Sequence, residues 1–370
     1  MRIAVWNTAF LGDALLTLPL VRALRKTWPQ AEIDGYLRAG LGSLFSCQPD
    51  FSSVYEVSKH DRTARGMLHL SRNVSSRHYD VWLSAHTSPR SSLVALASGA
   101  PLRIGYSRAW HRNIAYTHIV DRGFDTLEEI ERLLELLRPL ESIALNQLAG
   151  KAPPGWQPSS LTWPPAWPGL WPNLQLPETA RDAAAEFWKN LPPGPVLGMH
   201  PGSIWGTKRW TSQGFAVVAR RAVESGSVVL LFAGPGESAI ASEVLRTAGL
   251  ENHPRVRNLS ERLDLPHLAA WLKRLDCYLS NDSGPMHLAW LQRVPLVAVF
   301  GPSVRELGFF PRGTSATVLE NPAPLTCRPC GLHGPQACPR GDHACMTGID
   351  PETVWEAVHR HLSNATAPLS

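Results

Sequence analysis

Along this chain, short apolar runs alternate with stretches in which apolar residues recur every three or four positions. The first run, Arg2 to Trp6, predicts a strand. A loop, Asn7 to Gly12, then leads into a helix with Leu15, Leu18, Val21 and Leu24 in helical period. Further strands are expected at Glu32–Leu37, Ser53–Val57, Val81–Ser84 and Arg103–Tyr106, and a strong amphipathic helix at Asp125–Leu140. Alternating strand and helix periods are the mark of a parallel α/β sheet.

The pattern breaks between Pro153 and Pro177, where eight prolines and four tryptophans (Trp156, Trp163, Trp167, Trp171) crowd together. Proline cannot donate to a helix or a central strand, so this reads as a stiff interdomain linker whose tryptophans lie against protein. A second series then begins: helix Glu178–Leu191, strand Val196–His200, helix Thr211–Ser225, strand Val228–Ala233 and helix Glu237–Ala248. It continues with strand Arg255–Leu259, helix Leu265–Arg274, strand Cys277–Ser280, helix Pro285–Gln292 and strand Leu296–Phe300. The expected organisation is an α/β domain over 1–152, a linker over 153–177, a second α/β domain over 178–348, and a closing helix and tail over 349–370. Two such halves are expected to face each other across a cleft, with ligands beyond the carboxyl ends of the strands.

At 370 residues the chain is long enough for two domains, and for cores that need neither a disulfide nor a metal. No apolar run reaches about 18 residues, and the N-terminus has no signal-type apolar region, so a soluble cytoplasmic protein is expected. Net charge is only +5, yet nine basic residues and two acids lie between Lys59 and Arg112, with five histidines. Such a stretch is either a solvated face or a surface for an anionic partner. Nucleic acid is not expected, because no zinc-finger, helix-turn-helix or aromatic RNA-binding signature accompanies the charge.

No GxGxxG follows the first strand, and there is no P-loop or GxSxG elbow. Instead Leu11-Gly12-Asp13 puts a carboxylate at a helix start, either as a cap or as a general base. His200-Pro201-Gly202-Ser203, followed by Lys208-Arg209-Trp210, is either an ordinary strand-to-helix loop or a phosphate turn with a mobile cation. In Asn281-Asp282-Ser283-Gly284-Pro285-Met286-His287 a strand stops and Pro285 opens a helix, whose free N–H groups suit a diphosphate. Glu237, just past Gly234-Pro235-Gly236, suits a ribose hydroxyl or the helix dipole equally.

Taken together, these three segments resemble glycosyltransferase family 9, the ADP-heptose:lipopolysaccharide heptosyltransferases. The resemblance implies a GT-B fold, two Rossmann-like doubly wound domains with the acceptor on the first and the nucleotide-sugar on the second. It also implies inverting transfer of a heptose to the lipopolysaccharide inner core without a catalytic metal, possible contact with the inner membrane, and these roles: Asp13 as general base; Lys208 and Ser203 at the donor diphosphate; Glu237 at the ribose; Asp282 at sugar hydroxyls; Ser283, Gly284 and His287 in the diphosphate turn. A non-catalytic nucleotide-sugar or phosphoanion binder on the same fold is the alternative.

Cys327, Cys330, Cys338 and Cys345, with His333 and His343 between them, read as a structural zinc or iron–sulfur site before they read as disulfides. Similar cysteine-rich tails occur in the heptosyltransferase II-like branch. Cys47 and Cys277 read as plain core residues.

Overall fold

The computed structural model describes residues 1–58, 63–106, 114–140 and 167–366. The chain divides into two compact units, Met1–Gln175 and Leu176–Ser370. Their boundary falls inside the Pro/Trp-rich stretch, of which residues 153–166 lie outside the described residues. The remainder of that stretch, up to Gln175, is tied to the first unit. Lys26 Nζ donates to the Gly169 carbonyl at 2.8 Å, and the Gln48 amide pairs with both backbone groups of Gln175 at 3.0 Å.

The first unit is a parallel sheet of β1 (Arg2–Asn7), β2 (Glu32–Arg38), β3 (Ser53–Val57), β4 (Val81–Ser84), β5 (Leu102–Tyr106) and β6 (His118–Val120). Their spatial order is β3-β2-β1-β4-β5-β6. Helices α1 (Leu11–Leu16), α2 (Leu18–Thr27), α3 (Gly42–Phe45), α4 (Ala64–Ser75), α5 (Pro89–Ala97) and α6 (Glu129–Glu135) connect the strands or come after them. Central strands of a sheet covered on both faces lose the apolar–polar alternation. Accordingly Ile3, Ala4, Val5 and Trp6 are all buried, as are Val81, Trp82 and Leu83. On one face Trp6, Tyr36 and Trp82 form a ring cluster with centroids 5.4–5.8 Å apart, under Leu70 and Val74 of α4 and Val94 and Ala95 of α5.

The second unit repeats the plan with β7 (Val196–His200), β8 (Val228–Leu231), β9 (Val256–Asn258), β10 (Cys277–Asn281), β11 (Leu296–Val299) and β12 (Ala316–Leu319), ordered β12-β11-β10-β7-β8-β9 and all parallel. Around it lie α7 (Glu178–Lys189), α8 (Ser212–Glu224), α9 (Ser238–Ala248), α10 (Leu265–Leu272), α11 (Gly284–Leu291), α12 (Ala344–Thr347) and α13 (Pro351–Thr366). Phe215, Val218, Ala219 and Ala222 give α8 its buried face at helical spacing, and Thr211 caps it by accepting from the Gly214 N–H at 3.0 Å. In both units the first and fourth strands are neighbours and the chain winds away from them in opposite directions. The carboxyl ends of those two strands flank the crevice where such sheets bind ligands.

Most expected strands are present within two residues of their predicted ends. The helix expected over Asp125–Leu140 is the main difference. It begins at Glu129, where Glu128 and Glu131 close a capping box, and its regular part ends at Glu135. Three of its charged positions do not face water: Glu129, Arg132 and Glu135 are buried, with Arg122 and Arg132 bonding Glu129 at 2.6 and 3.3 Å. Charge pairing imitated a solvent face in the sequence. The short edge strands β6 and β12 carry too little apolar pattern to be predicted. Among the described residues, no helix is long and apolar enough to cross a membrane.

Candidate active site

In the second unit the crevice lies between the ends of β7 and β10, and Asn281, the last residue of β10, holds its two sides together. Its Nδ2 donates to the carbonyls of Pro201 and Gly202 at 2.9 and 3.1 Å, while its Oδ1 accepts from the Trp210 N–H at 2.9 Å. The turn after β7 is thereby fixed beside the turn after β10. Lys208, on the short turn Gly206–Lys208, reaches Asp282 Oδ2 at 2.5 Å, and Ser303 Oγ donates to the same oxygen at 2.7 Å. Ser203 Oγ donates to the Asp282 carbonyl at 3.4 Å. Burial alone would push the Asp282 carboxyl up, but the Lys208 ammonium and the hydrogen bonds from Lys208 and Ser303 outweigh it and hold the group below the usual carboxylate range.

Ser283 is the N-cap of α11, accepting from the Met286 N–H at 3.4 Å, and Pro285 occupies the first turn. His287 lies in that turn, buried, and among the described residues its Nδ1 has no hydrogen-bond partner. Burial pushes its ring down to about 4, a shift that Asp282 opposes and Lys208 reinforces. His287 is therefore a neutral ring at pH 7, a donor through one N–H and not a cation.

His200 joins this turn to Glu237. Its Nε2 donates to the Glu237 carboxylate at 3.1 Å, and its Nδ1 stands 3.4 Å from Ser283 Oγ. Glu237 also accepts from the Gly234 N–H at 3.0 Å and makes no side-chain cap for α9. Burial raises the Glu237 carboxyl, but the His200 and Gly234 hydrogen bonds prevail and lower it below its ordinary value. Gly202 is required here for close approach, because a Cβ at this position would collide with the Glu237 carboxylate.

The first unit arranges its crevice differently. Asp13 is the third residue of α1, and the N-cap position belongs to Phe10, which makes no side-chain cap. The backbone of Asp13 is fixed by its carbonyl, which accepts from Asn7 Nδ2 at 3.1 Å and Thr17 Oγ1 at 2.9 Å. Its charge also acts on buried Glu129, whose carboxyl is raised by burial first and by Asp13 in addition, against the pull of Arg122. Across the crevice, Thr8 Oγ1 accepts from Arg90 Nη2 at 3.1 Å and lies 3.2 Å from His86 Nδ1. Ser91 Oγ, bonded by Trp6 Nε1 at 2.9 Å, is 3.4 Å from the same His86 nitrogen.

The structure thus places Ser203, Lys208, Glu237, Asp282, Ser283, Gly284 and His287 around one crevice, and Asp13 at the equivalent crevice of the other unit. Sequence reasoning gave no individual role to Asn281, Ser303 or Arg90. Asn281 was legible as the first residue of a polar segment and Arg90 as a member of the basic stretch, while Ser303 carries no local signal.

The cysteines correct an expectation. Among the described residues no group of three or more His, Cys, Asp or Glu side chains is placed to hold a metal ion, so Cys327, Cys330, Cys338 and Cys345 form no ligand set. They differ in environment: Cys327 is exposed, Cys330 and Cys338 are half-buried, and Cys345 lies in the core with its thiol pushed up to about 11 by burial. Uneven spacing allowed the loop to fold as a chain of turns against the rest of the unit.

Comparison with known proteins identifies the family. The profile of glycosyltransferase family 9 (heptosyltransferase) matches residues 67–331. Lipopolysaccharide heptosyltransferase 2 of Salmonella typhimurium is 25% identical over 370 residues, 98% of this chain and 99% of that protein. Lipooligosaccharide heptosyltransferase 2 of Campylobacter jejuni is 31% identical over 171 residues, 46% of this chain, and there the match spans only about half of that relative, 52%. The structure of the Escherichia coli ADP-heptose lipopolysaccharide heptosyltransferase II superposes with a TM-score of 0.76 at 24% identity, covering 99% of this chain and 100% of that one. The fold is GT-B, and the chain belongs to glycosyltransferase family 9, a family of enzymes that transfer glycosyl groups.

Proposed function

We propose that this enzyme moves a heptose from ADP-heptose to a hydroxyl of the lipopolysaccharide inner core, with inversion at the anomeric carbon and no catalytic metal. The Salmonella, Campylobacter and Escherichia relatives support the substrates, and the second unit supports the donor. One observation carries the reading: Lys208 and Ser303 converge on Asp282 beside the capped N-terminus of an eight-residue helix, leaving cationic and N–H groups at one crevice.

In this reading the Asp13 carboxylate takes the proton of the acceptor hydroxyl while that oxygen attacks the anomeric carbon from the face opposite ADP. Negative charge grows on the departing diphosphate. Lys208, the first-turn N–H groups of α11 and the neutral His287 ring stabilise it, which is the work a metal does in other transferases. Glu237 takes the ribose, and Asp282 orients sugar hydroxyls. On the acceptor side, Arg90, His86 and Thr8 meet the acid groups of the core.

The acceptor is lipid-borne, which fits the outer faces of α4 and α5. Leu68, Leu93 and Leu96 are exposed there, Arg65 and Arg72 share the exposed side of α4, and neither helix carries an acid. Loose attachment of the first unit to an anionic bilayer is the expected result of that pairing of apolar and basic groups. Lys59, His60, Arg62, Arg108, His111 and Arg112 lie outside the described residues.

The test is a product assay with ADP-heptose and a deep-truncated core lipopolysaccharide. Transfer of one heptose with an inverted anomeric linkage is the expected result. Binding of ADP-heptose without any transferred sugar would leave the non-catalytic alternative standing.

A further inference from the structure

We propose that the cysteine-rich loop, residues 327–345, is a positioning element of the donor site, acting through the backbone on either side of Lys208 and Ser303. The inference rests on the proposed donor site and adds a second group of residues to it. The loop grips two turns at once, and the side chains of those turns end on the same oxygen of Asp282.

On one side it holds the segment leading to Lys208. The His333 ring stacks on Trp205 with centroids 5.8 Å apart and planes 3° from parallel. The Gln336 side chain donates to the Ile204 carbonyl at 3.0 Å and accepts from the Gly206 N–H at 3.2 Å. Buried Thr207 donates through both its N–H and its hydroxyl to the Pro335 carbonyl, at 3.3 and 2.6 Å. His343 Nε2 stands 2.8 Å from the Thr207 carbonyl, and because a carbonyl can only accept, this nitrogen carries the proton. On the other side, the Cys330 N–H donates to the Pro302 carbonyl at 2.8 Å, and Arg328, ion-paired to Glu320, donates to the Ser303 carbonyl at 2.8 Å.

Two glycines record how closely the pieces approach. A Cβ on Gly206 would run into the Gln336 carbonyl oxygen. A Cβ on Gly334 would lie 2.6 Å from Thr207 Oγ1 and 3.0 Å from Pro302, so the loop is wedged between the two turns. Thr207 adjoins Lys208, and Pro302 adjoins Ser303. A loop that served only the core would have no reason to bond the carbonyls of Ile204, Thr207, Pro302 and Ser303. Small displacements of positioned groups are costly to binding and catalysis, so a brace here acts on the donor while touching none of it.

The experiment uses the full chain and ADP as probe, with ADP affinity measured by calorimetry and stability by thermal unfolding. His343→Ala removes the bond to the Thr207 carbonyl; His343→Gln puts an amide N–H near the place of Nε2; Thr207→Val removes the hydroxyl's bond to Pro335, leaving the backbone one, with little change of shape. His343→Ala and Thr207→Val are expected to weaken ADP by roughly tenfold, the scale of one lost buried hydrogen bond, with only a small change in the unfolding temperature. His343→Gln is expected to recover most of the loss. A merely structural loop gives the opposite pattern, a lower unfolding temperature with ADP affinity within twofold of wild type, and that outcome overturns the proposal. If His343→Ala does not fold, Thr207→Val decides alone. If wild-type protein fails to bind ADP, the donor reading falls; the brace is then judged by amide hydrogen exchange over residues 203–210, which must quicken in Thr207→Val for it to stand.

Discussion

The two units share one strand order but prepare their crevices in opposite ways. In the second, the two carboxylates and both turns are already engaged: Asp282 by Lys208 and Ser303, Glu237 by His200, and the two turns by Asn281. In the first, Asp13 sits half-buried on a six-residue helix with no side-chain cap, and Arg90 and His86 are half-buried beside Thr8. A fixed polar network suits a small, invariant ligand such as a nucleoside diphosphate, since little ordering remains to be done on binding. Half-buried groups at a crevice suit a large acceptor. On the proposed reading, in which the second unit takes the donor and the first the acceptor, the second unit is built for affinity and the first for chemistry.

The sharpest way to break that division is Asp13→Asn. If the acceptor half holds the base, turnover at saturating donor should fall by roughly 10²–10⁴ while ADP affinity stays near wild type. Asp13 does not cap α1, so a purely structural Asp13 supplies only its first-turn charge, worth about 0.3–1 kcal/mol, and predicts an active variant. Activity within a few-fold of wild type would remove Asp13 from the mechanism.

Lys208→Met tests the donor half. It leaves the Asp282 carboxylate buried with Ser303 as its remaining partner, and loss of one member of a buried pair costs about 3–5 kcal/mol. Donor binding should disappear and the second unit should unfold at lower temperature. Retained ADP binding would show that the pair is only structural. Arg90→Lys is expected to be milder: acceptor KM should rise by about tenfold, the scale of a charged hydrogen bond, with donor KM unchanged. An equal rise for both substrates would erase the proposed separation of roles.

The smallest effect is on pH. The His287 ring is held at about 4 in the folded chain, below the roughly 6.5 of an unfolded one, so the unfolded state takes up its proton first. The corresponding stability is complete above about pH 6.5 and drains away towards pH 4, by up to about 1.4 kcal/mol per pH unit. Asp282 and Glu237, whose carboxyls lie below their ordinary values, add losses only further into acid. Denaturant melts of wild type and His287→Gln across this range should differ in slope. Parallel slopes would mean that the ring titrates as if exposed.

Much of this was legible before any coordinates. The strands Ser53–Val57, Val81–Ser84 and Val196–His200 were predicted residue for residue, because buried parallel strands are short apolar runs bounded by turns. The second-unit site was legible as three polar segments, each placed just after a predicted strand. Its internal wiring was not: Ser303 reaches Asp282 across 21 residues of sequence and Gln336 reaches Ile204 across 132, and no local pattern encodes either contact. The cysteine loop misled because its thiols and histidines were read as metal ligands, whereas His333 stacks on Trp205 and His343 meets the Thr207 carbonyl. The buried Glu129–Arg132 pair misled for a related reason, since charge periodicity looks the same whether the charges face water or each other.

The placement of α13 has a consequence for how the protein is made. Val354, Ala357, Val358 and Leu362 of this helix fill the core under β10 and β11, against α8. The described core of the first unit, by contrast, is complete by Tyr116 on the face under α4 and α5. On a ribosome, therefore, the first unit can close its ring cluster while the second is still being translated, and β7 to β12 must wait for residues up to Leu362 before their apolar face is covered. During that interval the nascent second sheet is the exposed surface on which chaperones would act. Truncations that stop short of α13 should leave a folded first unit attached to an aggregation-prone second one.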